Sequence, residues 1–389
     1  MRILLTNRWL VGGSGTETLV RDLVVGLRRS GHTVVTYAPS VGRLAAIIRA
    51  TGSPVTTSVR DIAEPPDIIH GHHTGPTMVA LSRFPKVPAV FVCHDFSADH
   101  DDPPEHPRIR RYLYVREALK GRLCDERGID PAQTEFWRNT IDLHRIGPAA
   151  PVPRKLRTAA VFGHPGANPQ TELLAAICQR GGIAFKGQAL SGPVAKPLEA
   201  IRGIDLVFAS GIMAIEALAA GHVVVNADRF GVGGLVTFSR LEHFGQWNFA
   251  IGGLSSHPDL SGLDADLADY DAEDAARVCQ KIRSDWCVEK GVERLEQIYR
   301  DVLQQHAPQS DCELEAIAMA KFLEKYIQDM RVYDQAFLNK RAGFADFQGL
   351  IENLNSTNIE LIREIQKLRR GGPLERILRR AWNVISRRN

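Results

Sequence analysis

Two stretches decide the fold, Gly12-Gly13-Ser14-Gly15-Thr16-Glu17 and, in the second half of the chain, Ser210-Gly211-Ile212-Met213-Ala214-Ile215-Glu216-Ala217-Leu218-Ala219-Ala220-Gly221. Each lies between a β-rich run and the start of a helix-like run. A strand-to-helix turn of this kind exposes backbone N–H groups beside a helix N-terminus, which holds a phosphate or diphosphate without a metal. Two such turns predict two facing nucleotide-type domains.

Length and composition support several domains. A chain of 389 residues exceeds the size at which a single core stops growing, about 250–300 residues. The proline-rich segment 147–153 predicts an interdomain linker. We therefore expect an N-terminal domain over 1–150, a second domain over 151–306 and a helical extension over 307–389. The net charge of +3 gives no case for a nucleic-acid binder.

Both halves alternate between strand-like and helix-like sequence. This pattern predicts parallel sheets covered by helices, with a ligand cleft outside the carboxyl ends of the strands. The expected strands are 2–6, 32–37, 68–70, 89–93, 158–162, 206–208 and 222–226, and the expected helices include 17–30, 171–180 and 214–220.

The order and spacing of six motifs resemble the GT-B glycosyltransferases, especially the retaining, metal-independent enzymes of glycosyltransferase family 4. The resemblance covers roughly residues 1–300, as two domains of ordinary size would. It implies an α/β protein of GT-B type, with two facing Rossmann-like domains, followed by a C-terminal α-helical or coiled-coil extension. The motifs are Gly12-Gly13 with Glu17, Ser30 to Val34, Pro66 to His72, Val92 to Asp95, Asn139 to Asp142 and Glu216 to Gly221.

The resemblance also implies roles for single residues. Gly12, Gly13 and Gly15 would bring the backbone close to the donor diphosphate. His94 would be the catalytic residue, on the sugar and acceptor side of the cleft. Gly211 and Ile212 would offer N–H groups to phosphate or sugar, and Glu216 would accept from the two ribose hydroxyls.

Two parts of the family pattern are missing. Phe208 stands where the family has the first Glu of its E-x7-E motif, and no Arg or Lys follows the first strand of the second domain. A diphosphate leaving group needs donors or cations nearby. The candidates that would replace the missing cations are His164, backbone N–H groups of the same loop, Lys186 and Lys196.

Histidines and aspartates concentrate between residues 70 and 106, yet their spacing fits no closed tetrahedral set, so we expect no metal. His94 is as compatible with a structural histidine as with a site residue.

The segment 97–111 is interpreted as a mobile acceptor-side loop whose arginines suit an anionic acceptor, although a solvated loop is an equal alternative. The six cysteines are scattered and are typical of reduced thiols in the cytosol, and the N-terminus predicts a strand rather than a signal peptide.

The C-terminal region has two features. A heptad pattern from Phe347 to Leu368, with Asn358 at a core position, predicts that residues 345–369 form a homo-oligomer or dock a partner protein; packing onto the chain's own domains is the alternative. Residues 373–389 predict a basic amphipathic helix carrying Trp382. The net charge from Arg363 onward is +7, which favours an anionic membrane surface, with an ordinary solvated helix as the alternative.

The sequence therefore predicts a cytoplasmic glycosyltransferase, held peripherally at the inner face of the membrane. It would transfer a sugar from a nucleotide-diphosphate sugar to a cell-surface polysaccharide or lipid-linked glycan, with no cofactor beyond that donor. The main alternative is a catalytically impaired GT-B scaffold that binds a glycan or nucleotide and acts through its helical tail. A sugar-nucleotide epimerase of the same fold ranks last, because a membrane-seeking tail gives it no evident advantage.

Overall fold

The computed structural model describes residues 1–12, 14–95, 99–163, 171–190, 198–228, 231–250, 260–305 and 311–328. The chain forms two compact units, Met1–Met319 and Ala320–Asn389. Residues 312–328 are helical. The predicted oligomerisation segment 345–369 and the predicted membrane helix 373–389 lie outside the described residues, as do Gly13, His164 and Lys196.

The first half contains a seven-stranded parallel sheet in the order β5-β3-β1-β6-β7-β8-β9. Its central strands are uninterrupted buried runs, as expected for a parallel sheet with helices on both faces. The order reverses between β1 and β6, which places a crevice at their carboxyl ends. The strands of this half, including the separate pair β2 and β4, are β1 (Arg2–Thr6), β2 (Trp9–Leu10), β3 (Thr33–Tyr37), β4 (Ser40–Val41), β5 (Val55–Thr56), β6 (Ile68–His72), β7 (Ala89–Cys93), β8 (Ile109–Tyr114) and β9 (Thr134–Phe136).

The second half contains a five-stranded sheet in the order β11-β10-β12-β13-β14, in which β14 is antiparallel to β13. Phe208 is fully buried in β12, and its ring centroid lies 6.4 Å from that of Phe185. The residue at the place of the family's first Glu therefore serves the core. The strands are β10 (Thr158–Gly163), β11 (Ala184–Leu190), β12 (Leu206–Ala209), β13 (Val223–Asp228) and β14 (Gly231–Leu235).

The α-helices that the structure describes with bounds are α1 (Gly15–Arg29), α2 (Arg43–Ala50), α3 (Thr74–Arg83), α4 (Ala118–Gly121), α5 (Leu143–Ile146), α6 (Thr171–Arg180), α7 (Gly211–Ala219), α8 (Leu241–Gln246), α9 (Leu260–Ala268), α10 (Ala272–Asp285) and α11 (Val288–Gln305). Among the helices of the described residues, none is long and apolar enough to cross a membrane.

The last of these helices returns to the first half. α11 packs against α1 and β8, and its Tyr299 hydroxyl lies 2.5 Å from Nδ1 of His70 in β6. Immediately before α11, Cys287 forms an isolated β-bridge with Ile141 of the first half. This crossover ties the two sheets together. The predicted domain division at 150/151 and 306/307 stays a prediction.

The expected α/β architecture with parallel sheets is confirmed. The interpretation of 97–111 as a mobile loop is wrong at its end, because residues from Ile109 onward form β8. Arg108 is buried and donates to the carbonyls of Leu81, Phe84 and Val87 and to Glu315. Its guanidinium is used by the fold and does not serve an acceptor.

Candidate functional site

The first turns of α1 and α7 face the same cleft. Gly15 and Thr16 line one side and Gly211 and Ile212 the other, around a volume of about 210 Å³. A Cβ atom added at Gly15 would lie 3.7 Å from Cγ2 of Ile212, so the two halves approach closely here. Because both helices direct the positive ends of their dipoles to this place, the cleft favours an anionic group.

Ser14 begins α1 with a capping box that also involves Gly12. The Glu17 carboxylate accepts from the N–H of Gly12 at 2.8 Å and from the N–H of Ser14 at 2.9 Å, while Ser14 Oγ accepts from the N–H of Glu17. A diphosphate at this turn would share these N–H groups with Glu17 or displace it. The expected role of Gly12 stays a prediction.

His94 lies directly after β7 and lines the cleft. Its Nε2 is 2.8 Å from Nδ1 of His72, and the two rings stack with centroids 5.1 Å apart. Burial, followed by the nearby Arg116 guanidinium, lowers the pKa of His94 to about 3. His94 is therefore neutral at physiological pH, and a neutral imidazole can hydrogen-bond to a sugar hydroxyl.

The neighbouring histidines are also neutral. Burial lowers the pKa of His70 to about 3 and that of His73 to about 2, with nearby His94 adding to both shifts. The pKa of His72 is also well below its usual value, chiefly because of burial. Among the described residues, no group of three or more His, Cys, Asp or Glu side chains is arranged to hold a metal ion.

Sequence reasoning missed the role of Asp101 and Arg116 in this cleft. Arg116 follows β8 and donates from its guanidinium to the carbonyl of His94 at 3.0 Å. It brings a cation to the cleft from the first half, whereas Lys186, a sequence candidate for this task, is exposed on β11. The strand β8 had no recognised signal, so nothing marked Arg116 as a residue at a strand's carboxyl end.

Glu216 is not among the residues that line the cleft. Its Oε1 lies 2.6 Å from Arg145, and the same Arg145 nitrogen lies 2.7 Å from Asp22. The three side chains are buried. Burial alone would lower the pKa of Arg145, but the two carboxylates outweigh it and raise that pKa. The predicted ribose contact of Glu216 would require Arg145 to share or release it.

Arg145, Asp22 and Glu216 belong to a larger set of charges, which we call the charge network; its carboxylates are buried, whereas Arg29 is partly exposed. Arg21 contacts Asp22 and Asp142, and Arg29 contacts Asp142, each at 2.7–2.8 Å. Burial would raise the pKa of Asp142, but hydrogen bonds from Arg29 and Arg21 lower it. The network joins α1 and the segment around α5 in the first half to α7 in the second.

Comparisons with known proteins agree with this architecture. The family model described as Glycosyltransferase Family 4 matches residues 13–145, so the resemblance is confirmed for that part of the chain. No curated protein matches the sequence.

Solved structures extend the likeness to both halves. A glycosyltransferase from Rickettsia africae is similar at 12% identity with a TM-score of 0.50, covering 78% of this chain and 99% of its own. The catalytic domain of starch synthase IV from Arabidopsis thaliana, solved with ADP and acarbose, gives 12% identity and a TM-score of 0.50, with 78% of this chain and 99% of that chain covered. The fold is that of the GT-B glycosyltransferases.

Proposed function

We propose that this protein is a glycosyltransferase that moves a sugar from a nucleotide-diphosphate sugar to a glycan acceptor. One observation carries the proposal: the N-termini of α1 and α7 meet in one cleft with neutral His94 and the cation Arg116. Phosphate groups favour helix N-termini, and a sugar favours uncharged donors and acceptors beside them.

The chemistry follows from charge development. As the bond between the sugar and the diphosphate breaks, negative charge grows on the leaving oxygen, and preorganised N–H groups and a cation stabilise it. The backbone N–H of Ile212, together with Arg116, would meet this need without a metal or a further cofactor. The N–H of Gly211, the other donor expected from the sequence, is already used, because it donates to the carbonyl of Phe249 at 2.9 Å. Retention of configuration is carried over from the resemblance.

The acceptor side of the proposal rests on the sequence of the tail. A basic amphipathic helix over 373–389 would hold the enzyme at the cytoplasmic face of the membrane, next to a lipid-linked or surface polysaccharide acceptor. The heptad pattern over 345–369 would add a homo-oligomer or a partner protein.

Calorimetric titration of the full-length protein tests the donor site. UDP, GDP, CMP and dTDP and their common sugar conjugates are titrated into wild type, Glu216→Ala and the matched control Glu242→Ala, whose carboxylate is exposed on α8. We expect one nucleotide to bind wild type and the control alike. Loss of a charged hydrogen-bonding partner should weaken binding to Glu216→Ala by about tenfold or more.

Two observations favour the second candidate, a catalytically impaired scaffold that binds a glycan or nucleotide. Glu216 is held by Arg145, and Glu17 occupies N–H groups of the first glycine turn. If no nucleotide binds wild type, the transferase proposal fails and the scaffold becomes the better account.

A further inference from the structure

Asp101 is a buried carboxyl group in the wall of the cleft. It ends a short 3-10 turn, Asp99–Asp101, and only 1% of its surface is exposed. Its Oδ2 accepts from the backbone N–H of His94 at 2.6 Å and from the N–H of Asp95. Its Oδ1 is buried and has no hydrogen-bond partner in the part of the chain that the structure describes.

An unsatisfied buried polar atom destabilises the fold, because it has lost water without gaining a hydrogen-bond partner. The backbone around Asp101 fixes its orientation through Oδ2, which leaves Oδ1 without a role in the fold. Because Asp101 is one of the residues that line the cleft, an unpaired oxygen on this side chain indicates a group that a ligand completes.

The charge state of Asp101 decides which ligand group fits. Burial raises the pKa of Asp101 to about 8, and the two backbone N–H groups and Arg122 offset this only in part. The charged or titratable groups around it are Cys93, Asp95, Asp102, Arg116, Arg122 and the imidazoles of His73, His94 and His100. The part of the second half that faces it in the cleft, Gly211, Ile212 and Asn248, carries no charge.

At neutral pH the group is therefore an uncharged acid. Because Oδ2 accepts two N–H groups, the proton lies on Oδ1, which becomes a donor. A carboxylic acid that stays neutral can donate to an oxygen of the ligand without adding negative charge beside a diphosphate.

We propose that Asp101 is a sugar-binding residue whose Oδ1 donates a hydrogen bond to a hydroxyl oxygen of the sugar in the cleft. This inference rests on the proposed function and deepens it, because it assigns the residue that distinguishes a nucleotide sugar from the bare nucleotide. The backbone N–H groups of His94 and Asp95 orient Asp101 for this contact.

The test compares wild type, Asp101→Asn and Asp101→Ala with UDP, GDP and their hexose conjugates, by calorimetry at pH 7 and pH 9.5. The amide of Asn keeps an oxygen for the two backbone N–H groups and a donor at the position of Oδ1. We expect wild type at pH 7 to bind the conjugate about three- to tenfold more tightly than the bare nucleotide, as one good hydrogen bond allows. Asp101→Asn should retain this preference at both pH values, and wild type should lose it at pH 9.5.

The outcomes separate the two proposals. Nucleotide binding with a preference for the conjugate that changes neither with pH in wild type nor in Asp101→Ala would overturn the role of Asp101 and leave the transferase proposal standing. An Asp101→Asn variant as weak as Asp101→Ala would also overturn it, because the carboxyl group would then act as an acceptor. Titration of a free methyl hexoside in the presence of UDP tests whether the sugar at Asp101 belongs to the acceptor. Hexoside binding that is present at pH 7 and lost at pH 9.5 also supports the proposal. No binding of any probe overturns both proposals.

Discussion

Arg145 is the residue at which charges from both halves converge. Its guanidinium contacts Asp22 of α1 and Glu216 of α7, and all three side chains are buried. Arg145→Met would leave Glu216 buried without its cation and Asp22 with Arg21 alone, and removal of one partner of a buried pair typically costs about 3–5 kcal/mol. We expect a loss of this size in the free energy of unfolding measured with urea. Arg180→Met is the control, because the Arg180–Asp264 pair is exposed and should contribute less than about 1 kcal/mol. Equal losses in the two variants would contradict the structural role of the network.

The histidine cluster makes stability depend on pH. His70, His72, His73 and His94 have lowered pKa values in the folded protein, whereas unfolded histidine titrates near 6.5. Unfolding therefore takes up protons below pH 6.5, so their stabilising contribution is complete above that pH and is lost as the pH falls toward 3. Each contributes at most about 1.4 kcal/mol per pH unit.

Asp101 acts in the opposite sense. Its pKa of about 8 in the folded protein means that its contribution is complete below its unfolded value and is lost as the pH rises through 8. Four histidines outweigh one carboxyl group between pH 4 and 6.5, so we expect the urea midpoint to fall from pH 7 to pH 5. His73→Gln should reduce the number of protons taken up on unfolding at pH 5 by about one, and so weaken this pH dependence. A midpoint that rises on acidification in wild type would refute the assignment.

The turn before α1 holds a carboxylate where the proposed function needs an anion site. Glu17→Gln removes the negative charge and keeps one oxygen, so only one of the N–H groups of Gly12 and Ser14, which donate to different carboxylate oxygens, retains its acceptor. We expect UDP to bind this variant at least about threefold more tightly, because a like charge near the diphosphate is removed, while the capping change costs about 1 kcal/mol or less. The same calorimetry measures it, with Glu242→Gln as the control. Weaker UDP binding to Glu17→Gln would place the phosphate elsewhere.

The basic helix predicted for 373–389 is tested by deletion. The full chain and the chain ending at residue 372 are sedimented with vesicles of phosphatidylglycerol and of phosphatidylcholine. We expect the full chain to bind the anionic vesicles and the shortened chain to bind neither kind, since basic residues near an anionic surface contribute about 1 kcal/mol each. The full chain should not bind the phosphatidylcholine vesicles, and its binding to the anionic ones should weaken at 0.5 M salt. Unchanged binding of the shortened chain would rule out this anchor.

Elements with a clear period could be predicted from the sequence. The helix expected over 171–180 matches α6, and the strand expected over 89–93 matches β7. β8 was missed because two adjacent arginines, Arg110 and Arg111, interrupt its apolar pattern and because it follows a loop rich in proline and histidine. The cleft was predictable in outline, since turns at the carboxyl ends of parallel strands converge. The contact between Arg145 and Glu216 joins residues far apart in the chain, and no local pattern encodes such a pairing.

For the whole molecule, the decisive contact is the one by which α11 closes the chain back onto the first half. Gly26 of α1 allows it: a Cβ there would lie 2.7 Å from Cγ2 of Val288 and 3.0 Å from Cγ2 of Val292. Both valines are fully buried, so one of the helices must shift if a methyl group is added.

Gly26→Ala should therefore destabilise the protein by about 1–3 kcal/mol, although alanine is the better helix former. The matched control is Gly75→Ala in α3, where an added Cβ meets nothing within 4 Å, and it should be neutral or stabilising by up to about 1 kcal/mol. Because α11 connects the two sheets, Gly26→Ala should lower the unfolding midpoint to the same extent at two places in the molecule. The midpoint is followed by the fluorescence of Trp137, in the first half, and of Trp286, at the end of α10. Single-tryptophan versions of the protein separate these signals. A shift confined to Trp137 would show that the halves unfold independently and that α11 does not couple them.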